Sequence, residues 1–455
     1  MIANYDALVS HGQTEVRRVA LDIVEAVMRD AYPGKALRSM MQREGSIVRF
    51  GDREYDLSQY EHVYIIGVGK GAQSFVEVLA DAVGDRLDGG IVVIKEGEPR
   101  ADIERVRVIE SDHPLPTSRS VAAAEAVAEL ADAAGPNDLV LTAVTGGATS
   151  LVLLPPEGLL LEDIMKVSSM LLKSGANIGE MNTVRRHLCQ LKGGGLLSRI
   201  APAENATFSM VTVPPWIIPW PDLCVADPTT FADAINILKV FEVWDGAPDA
   251  IKAYLERGAQ GLERETLKTT EGIRTTLFNV LDPAALCEAG ARKAEALGFK
   301  PMILSRYMEG EAKDVGIALA GLASEISLYG RPWEAPCALL IGGEVTVTVR
   351  GQAGVGGPNQ EFVLGFAKAL GSAENVAAVA IDTDGNDGST DIAGGIVDGM
   401  TMRRALDMGV NVHAALRDHD SSSALTSLGD AVYTGPTGTN VLDFKVIVIG
   451  KGQEK

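Results

Sequence analysis

The sequence is short of everything that staples or anchors a chain. Its 455 residues include four cysteines, Cys189, Cys224, Cys287 and Cys337, all far apart. No C-x-x-C pair occurs, so neither a zinc ribbon nor a disulfide framework is suggested, and buried free thiols are expected. The six histidines are scattered, with no H-E-x-x-H, so the zinc-protease signature is missing. No apolar run approaches the ~20 residues of a membrane span. The segment MIANYDALVSHGQTEVRR has no apolar signal core. A cytoplasmic setting without a membrane partner is the resulting expectation. Basic residues are outnumbered 41 to 61, for a formal charge of −20. That balance opposes nonspecific binding to nucleic acid polymers or anionic membranes. It leaves open a small anion held locally by backbone amides and a few cations.

What is present is ordinary for a globular enzyme: 46% hydrophobic and 22% charged residues. The length exceeds one ordinary core, so two domains are expected. Residues 14–44 carry helical periodicity. The runs VYIIGV (63–68), GIVVIK (90–95), VRVIES (106–111), LVLTAV (139–144) and FSMVTV (208–213) read as buried strands, with helices at 71–83 and 118–134 between them. Such alternation gives a largely parallel, Rossmann-like sheet covered on both faces. Ligands in such sheets bind at the carboxyl ends of the strands, which directs attention to the loops after Val68, Val144 and Val213. VWDGAPD (243–249) reads as a connection, and residues 250–297 as mostly helical. A second strand series follows at 301–305, 337–349, 376–382 and 445–450. The expected division is 1–245, an N-terminal α/β domain, and 246–455, a smaller mixed α/β domain.

The 49 glycines cluster in loops that invite close backbone approach. Gly67-Val-Gly69-Lys70-Gly71-Ala72 joins a strand to a helix, where free amides and a lysine attract anions. It lacks the Walker A spacing, and a tight turn with an exposed lysine is an equal reading. Thr145-Gly146-Gly147-Ala-Thr149-Ser150 follows a second strand and offers hydroxyls and amides to phosphate; a simple helix cap is the alternative. In Asn182-Thr-Val-Arg185-Arg186-His187, helical spacing puts Asn182 and an arginine on one face, and Lys192-Gly-Gly-Gly follows. Arginines there suit carboxylate or phosphate, or else form a solvated basic face. Asp382-Thr-Asp384-Gly-Asn-Asp387-Gly-Ser-Thr-Asp391 packs four carboxylates into ten residues. Magnesium would offset their repulsion; Asx-turns and a helix cap are the alternative. Gly342-Gly343-Glu344, the run Gly354–Glu361 containing Asn359, and Gly435-Pro-Thr437-Gly-Thr439-Asn440 complete the set.

Read together, these segments resemble the class II glycerate kinase family. The matching runs are GVGKGA, SDHPLPTSRSVAAAE, SGANIGEMNTVRRHLCQLKGGGL, ADPTTFADA, GGEVTVTVRG, NQEF, DTDGNDGSTDIAGG and TGPTGTNVLD, in family order over roughly residues 60 to 445. The resemblance implies two α/β domains with the active site in the cleft between them. It implies ATP-dependent, Mg²⁺-assisted phosphorylation of D-glycerate, typically to 2-phosphoglycerate, with Lys70 in the active site. On that footing Lys70, Arg185 and Asp384 are the candidate catalytic residues. Gly69, Gly71, Thr145, Gly146, Gly147, Thr149, Ser150, Asn182, Arg186, Lys192, Glu344, Asn359, Thr437, Thr439 and Asn440 are candidates for binding substrate and phosphate. Asp382, Asp384 and Asp387 are the candidate Mg²⁺ ligands. The partners expected are ATP and a small anionic hydroxy acid, with a homodimer as the candidate assembly.

Three segments depart from the family pattern. Thr145–Ser150 stands where the family has Ser-Gly-Gly-Gly-Ser-Ala, and Pro358 stands where it has an active-site arginine. Pro214-Pro-Trp216-Ile-Ile-Pro219-Trp220-Pro221 replaces an acidic loop with an apolar one in which proline withholds amides and tryptophan offers flat surface. They motivate two further readings: a reductase of a keto acid such as hydroxypyruvate, or a noncatalytic ligand-binding relative. For the reductase, no acidic residue marks the next strand end, where Lys95 follows Ile94.

Overall fold

Continuous runs of apolar, often β-branched residues are stable as strands only when both faces are covered. This explains the central element of the structure, a computed structural model that describes residues 1–211, 220–349, 351, 353–439 and 441–451. A small antiparallel sheet comes first, β1 (Met41–Glu44), β2 (Ile47–Phe50) and β3 (Arg53–Asp56). Then come β4 (Val63–Val68), β5 (Gly89–Lys95), β6 (Val106–Ser111), β7 (Leu139–Val144), β8 (Glu204–Met210) and β9 (Thr275–Leu281). They form a six-stranded sheet of order β6-β5-β4-β7-β8-β9, and the four links from β6 to β8 are parallel. Every residue of β7 is buried, as a central parallel strand requires.

The remaining strands are β10 (Lys300–Ser305), β11 (Cys337–Gly343), β12 (Val376–Asp382), β13 (Gly394–Asp398), β14 (Ala431–Val432) and β15 (Asp443–Ile449). Their sheet is mixed, of order β10-β11-β15-β12-β13-β14, parallel at β10–β11 and antiparallel elsewhere. The expected α/β class, with one largely parallel and one mixed sheet, is therefore what the chain adopts.

The chain divides into two compact units. One is residues 33–280; the other joins residues 1–32 to residues 281–455. A division at 245 falls inside the first of these, because the segment after it supplies β9 to the parallel sheet. Residues 1–32 join the later segment because the helix Thr14–Asp30 packs on β12, β15 and the helix Pro283–Ala296. A buried ion cluster pins it there. Arg17, fully buried, donates to the Leu8 carbonyl (2.7 Å), Asp398 (3.0 Å) and Asp430 (2.7 Å).

The helix expected over 14–44 stops at Asp30, restarts as Pro33–Ser39, and gives way to β1. The stretch 250–297 holds a strand, β9, between two helices. The strand expected over 337–349 ends at Gly343, beyond which Thr346 makes only an isolated bridge to Glu311. All four cysteines are buried and free. No described helix is long and apolar enough to cross a membrane.

Candidate active site

In the unit of residues 33–280, two strand ends carry interlocked glycine turns. β4 runs into Gly69-Lys70-Gly71 and then the helix Ala72–Val83; β7 runs into Thr145-Gly146-Gly147 and a short helix. The Lys70 amide donates to the Gly146 carbonyl (2.8 Å), and the Thr145 hydroxyl donates to the Lys70 carbonyl (2.8 Å). Gly69 has φ +134, and a Cβ there would stand 2.6 Å from the Thr145 carbonyl oxygen. Gly147 has φ +81, and its Cβ would stand 2.9 Å from the His113 ring and 3.3 Å from the Lys70 side chain. Only glycine satisfies both the conformation and the contact at these points. Gly69→Ala should therefore lower stability by ~2 kcal/mol, a fall of several degrees in melting temperature, through loss of the Lys70–Thr145 interlock. Thermal unfolding of the variant checks this, with Gly97→Ala as control: a Cβ on Gly97 meets nothing within 4 Å, although its φ is also positive at +83.

The same geometry brings in residues that motif reading passed over. His113 follows β6 and lies against Gly147, which the Lys70 side chain also approaches; its place after the carboxyl end of a parallel strand was the available signal. Glu98 accepts from the Gly71 amide at 3.3 Å. Burial raises its carboxyl above the ordinary range, although hydrogen bonds from Gly71 and Lys95 and the charge of Lys70 oppose the shift.

The helix Ile178–His187 is set by a capping box. Asn177 accepts from the Glu180 amide (3.0 Å), and the Glu180 carboxylate accepts from the Asn177 amide (2.7 Å). Its two arginines separate in role. Arg186, 2% exposed, is clamped by Asp222 (2.6 Å) and Asp227 (3.2 Å), so it braces the helix. Arg185 has no hydrogen-bond or ion-pair partner among the described residues, and burial pushes its guanidinium below its ordinary pKa. Lys192 is 3% exposed and equally unpartnered, and its ammonium is also pushed down by burial. A buried ammonium with no hydrogen-bond partner is costly, although the charge of Asp222 offsets part of the cost at Lys192; Arg185 is half-buried. Both line a cavity of about 140 Å³ together with Thr149 and Ser150. Asn182 is buried on the same helix. Ser150 donates to the Gly147 carbonyl at 3.1 Å.

In the other unit, the carboxylates after β12 gather with Asp443 of β15. Asp382 is raised well above the ordinary range, first by burial and then by the charges of Asp443 and Asp384. Asp387 is pushed up to about 6 by burial and by Asp443. Asp387 accepts from the Asn359 and Gln360 amides (3.0 and 2.9 Å), which makes it the cap of the helix Pro358–Leu370. The Asn359 side-chain amide bridges Asp387 (3.1 Å) and Asp443 (2.8 Å), and Lys445 holds Asp443 at 2.9 Å. No group of three or more His, Cys, Asp or Glu able to hold a metal ion occurs among the described residues. The expected trio Asp382, Asp384 and Asp387 is thus not a ready-made metal cage. Asp382 and Asp384 are hard oxygen donors in a site of excess negative charge, which fits a Mg²⁺ that takes its other ligands from phosphate and water.

Several binding candidates have structural duties. The Thr437 hydroxyl donates to the Thr383 carbonyl (2.6 Å) and the Thr439 hydroxyl to the Ala31 carbonyl (2.9 Å). Glu344 is exposed at the end of β11. Pro358 stands at the first helical position, where its missing amide is no loss. Trp220 donates to the Met210 carbonyl (3.0 Å) and packs against the core of its unit. Asn440 and the loop 214–219, with Trp216, lie outside the described residues.

The comparisons with known proteins identify the family. The family described as "Domain of unknown function (DUF4147)" matches residues 19–256, and the MOFRL family matches residues 337–443. The chain is 35% identical to the glycerate 2-kinase of Pyrococcus horikoshii, over 96% of this chain and 98% of that one. A protein of Agrobacterium vitis named as a hydroxypyruvate reductase is 38% identical over 85% of this chain and 87% of its own. The crystal structure of glycerate kinase from Thermotoga maritima superposes with a TM-score of 0.83 at 32% identity, covering 95% of this chain and 99% of that one. The chain belongs to the class II glycerate kinase family, its DUF4147 segment preceding its MOFRL segment.

Proposed function

We propose that this chain is a glycerate 2-kinase, transferring the γ-phosphoryl group of ATP to a hydroxyl of D-glycerate or a closely related hydroxy acid. The hydroxyl oxygen forms the new bond to phosphorus, the bond to the ADP oxygen breaks, and the hydroxyl proton leaves to a base or to solvent. Such chemistry asks for positioning and charge neutralisation rather than covalent catalysis. The observation that carries the reading is the interlock of the two glycine turns, which fixes the Lys70 backbone at the carboxyl edge of the parallel sheet. Lys70 then offsets charge on the transferring phosphoryl group, and Arg185 and Lys192 hold an anionic group of substrate or nucleotide. Asp384 and Asp382 orient the hydroxyl or hold the Mg²⁺ that ATP brings, which would screen charge on the phosphates. A cytoplasmic setting, where ATP is supplied, and a homodimer belong to the same reading.

The test is ADP release from ATP and Mg²⁺, with D-glycerate and a panel of small hydroxy acids. Substrate-dependent ADP with 2-phosphoglycerate as product is expected. The reductase named in Agrobacterium vitis motivates the rival reading, so hydroxypyruvate with NADH is the companion assay, and no oxidation of NADH is expected. No ADP with any acid, from folded protein, would overturn the kinase reading.

A further inference from the structure

In the unit of residues 33–280, the end of the helix Ile178–His187 lies between two cavities. Arg185 faces the one of about 140 Å³ described above; its neighbours Arg186 and His187 line a second, of about 340 Å³. Lys192 is the one residue that lines both. The second volume suits a small metabolite, and no residue of the two glycine turns lines it.

Most charged groups of the larger cavity are already matched. Arg186 is held by Asp222 and Asp227, and His187 bonds the Thr183 carbonyl (2.8 Å) and Glu265 (3.0 Å). Arg199 donates to Asp132 (2.6 Å) and Gln190 (2.8 Å), and Glu263 accepts from Arg257 (2.7 Å). The buried Lys192 ammonium is the exception. It makes no hydrogen bond among the described residues, and Asp222, whose charge eases it, is committed to Arg186 at 2.6 Å. Three buried N–H donors with nothing to meet call for an acceptor from outside the chain. At the exposed side of the cavity Arg264 adds a second cation without a partner among the described residues.

The remaining lining narrows the class of anion. Glu157, Glu263 and Glu265 also face this cavity, so a phosphate near two negative charges meets more repulsion than a single carboxylate does. Carboxylates only accept hydrogen bonds, so a hydroxyl or amino group on the ligand suits these glutamates. Phe231 and Tyr254, edge-to-face with ring centroids 5.7 Å apart, give the carbon body of such a ligand an apolar wall.

On the reading that the smaller cavity holds an anionic group of substrate or nucleotide, we propose that the larger one is a regulatory site for a small organic monocarboxylate bearing a hydroxyl or amino donor, its carboxylate on Lys192. One ammonium then serves two anions. An acid in the larger cavity draws the donors and the charge of Lys192 away from the smaller one, so the two ligands weaken each other, by the same factor in both directions.

The test is calorimetric titration of the full chain with L-lactate, L-serine and 3-phenyllactate, and with inorganic phosphate for comparison. ADP and D-glycerate are then titrated with and without the tightest-binding acid. At least one acid should bind more tightly than phosphate and should weaken ADP or D-glycerate about 10-fold, a limit that more acid does not exceed. Ser198→Phe fills the larger cavity from the helix Gly195–Ile200, and Arg264→Glu reverses the charge at its exposed side; neither residue lines the smaller cavity. Acid affinity should fall about 10-fold or more in Ser198→Phe and about 3-fold in Arg264→Glu. Without acid, both variants should bind ADP and D-glycerate as the wild type does. Arg264→Glu, on the surface, decides the matter should Ser198→Phe fail to fold. The proposal is overturned by no binding of any acid, by tighter binding of phosphate, by acid affinity unchanged in a folded variant, or by acid that binds without affecting either ligand. Weakening that grows without limit, the mark of simple competition, overturns it too. The kinase reading fails separately. Acid binding that depends on Ser198 and Arg264 in a protein that releases no ADP keeps the site and loses the kinase; turnover without acid binding does the reverse.

Discussion

Lys70→Ala should lower kcat for ADP formation about 10²–10³-fold, with a melting temperature within about 2 °C of the wild type. Position underlies the effect. The Lys70 amide and carbonyl are both fixed by the second glycine turn, so the side chain leaves from a preorganised point and little reorganisation accompanies charge development on the phosphoryl group. A cation that acts on charge developing in transfer affects kcat more than KM. The interlock itself uses only the Lys70 backbone, so the variant keeps it. Steady-state kinetics of the variant check this, and a kcat within threefold of the wild type would remove Lys70 from the site.

The second large effect is on stability. Arg17→Met should lower the stability of the unit containing residues 1–32 and 281–455 by ~3–5 kcal/mol, because removing one partner of a buried ion cluster strands the others. Arg17, Asp398 and Asp430 are all fully buried. After the change Asp430 keeps Arg404 (2.6 Å) and His11 (2.9 Å), while Asp398 keeps only hydrogen-bond donors such as the Gln13 and Met400 amides. Burial alone would raise the Asp430 carboxyl, but the hydrogen bond from His11 and the charges of Arg17 and Arg404 hold it below its ordinary value. A depressed folded pKa contributes stability that is complete above the unfolded carboxylate value and is lost as pH falls through the folded one. The wild type should therefore lose this contribution below about pH 4, and the variant should lose less over the same window. Urea unfolding at pH 7 and at low pH measures both quantities; equal stabilities at pH 7 would show that the cluster is dispensable.

The strands of the parallel sheet were legible because burial on both faces demands unbroken apolar runs. β9 was not, since its burial alternates irregularly at the sheet's edge. β1 to β3 carry charged and polar side chains, many of them exposed, and show no run of either kind. The alternation at 344–349 has strand chemistry but finds only the bridge at Thr346. In the site, the glycine turns were legible because positive φ and close approach leave few other residues possible. The division between Arg185 and Arg186 was not. Neighbours on a helix point about 100° apart, and which of them meets a carboxylate depends on Asp222 and Asp227, 36 and 41 positions from Arg186. Asp387 had two readings, metal ligand and helix cap; only its distance to the amides of a segment 27–28 positions away shows that it caps.

The discontinuous unit has a consequence for how the polypeptide is made. Its first helix, Thr14–Asp30, leaves the ribosome early, yet β12, β15 and the helix Pro283–Ala296 on which it packs are encoded after residue 280. At ~5–20 residues per second, about 250 residues of elongation separate that apolar face from the helix Pro283–Ala296, and Asp398 and Asp430 follow Arg17 by 381 and 413 residues, a wait of tens of seconds. The intervening unit, contiguous in sequence, can complete its own core in that time. The nascent chain thus passes through a stage with one finished half and an unpaired amphipathic helix ahead of it, a species suited to capture by a chaperone and to premature association with another copy.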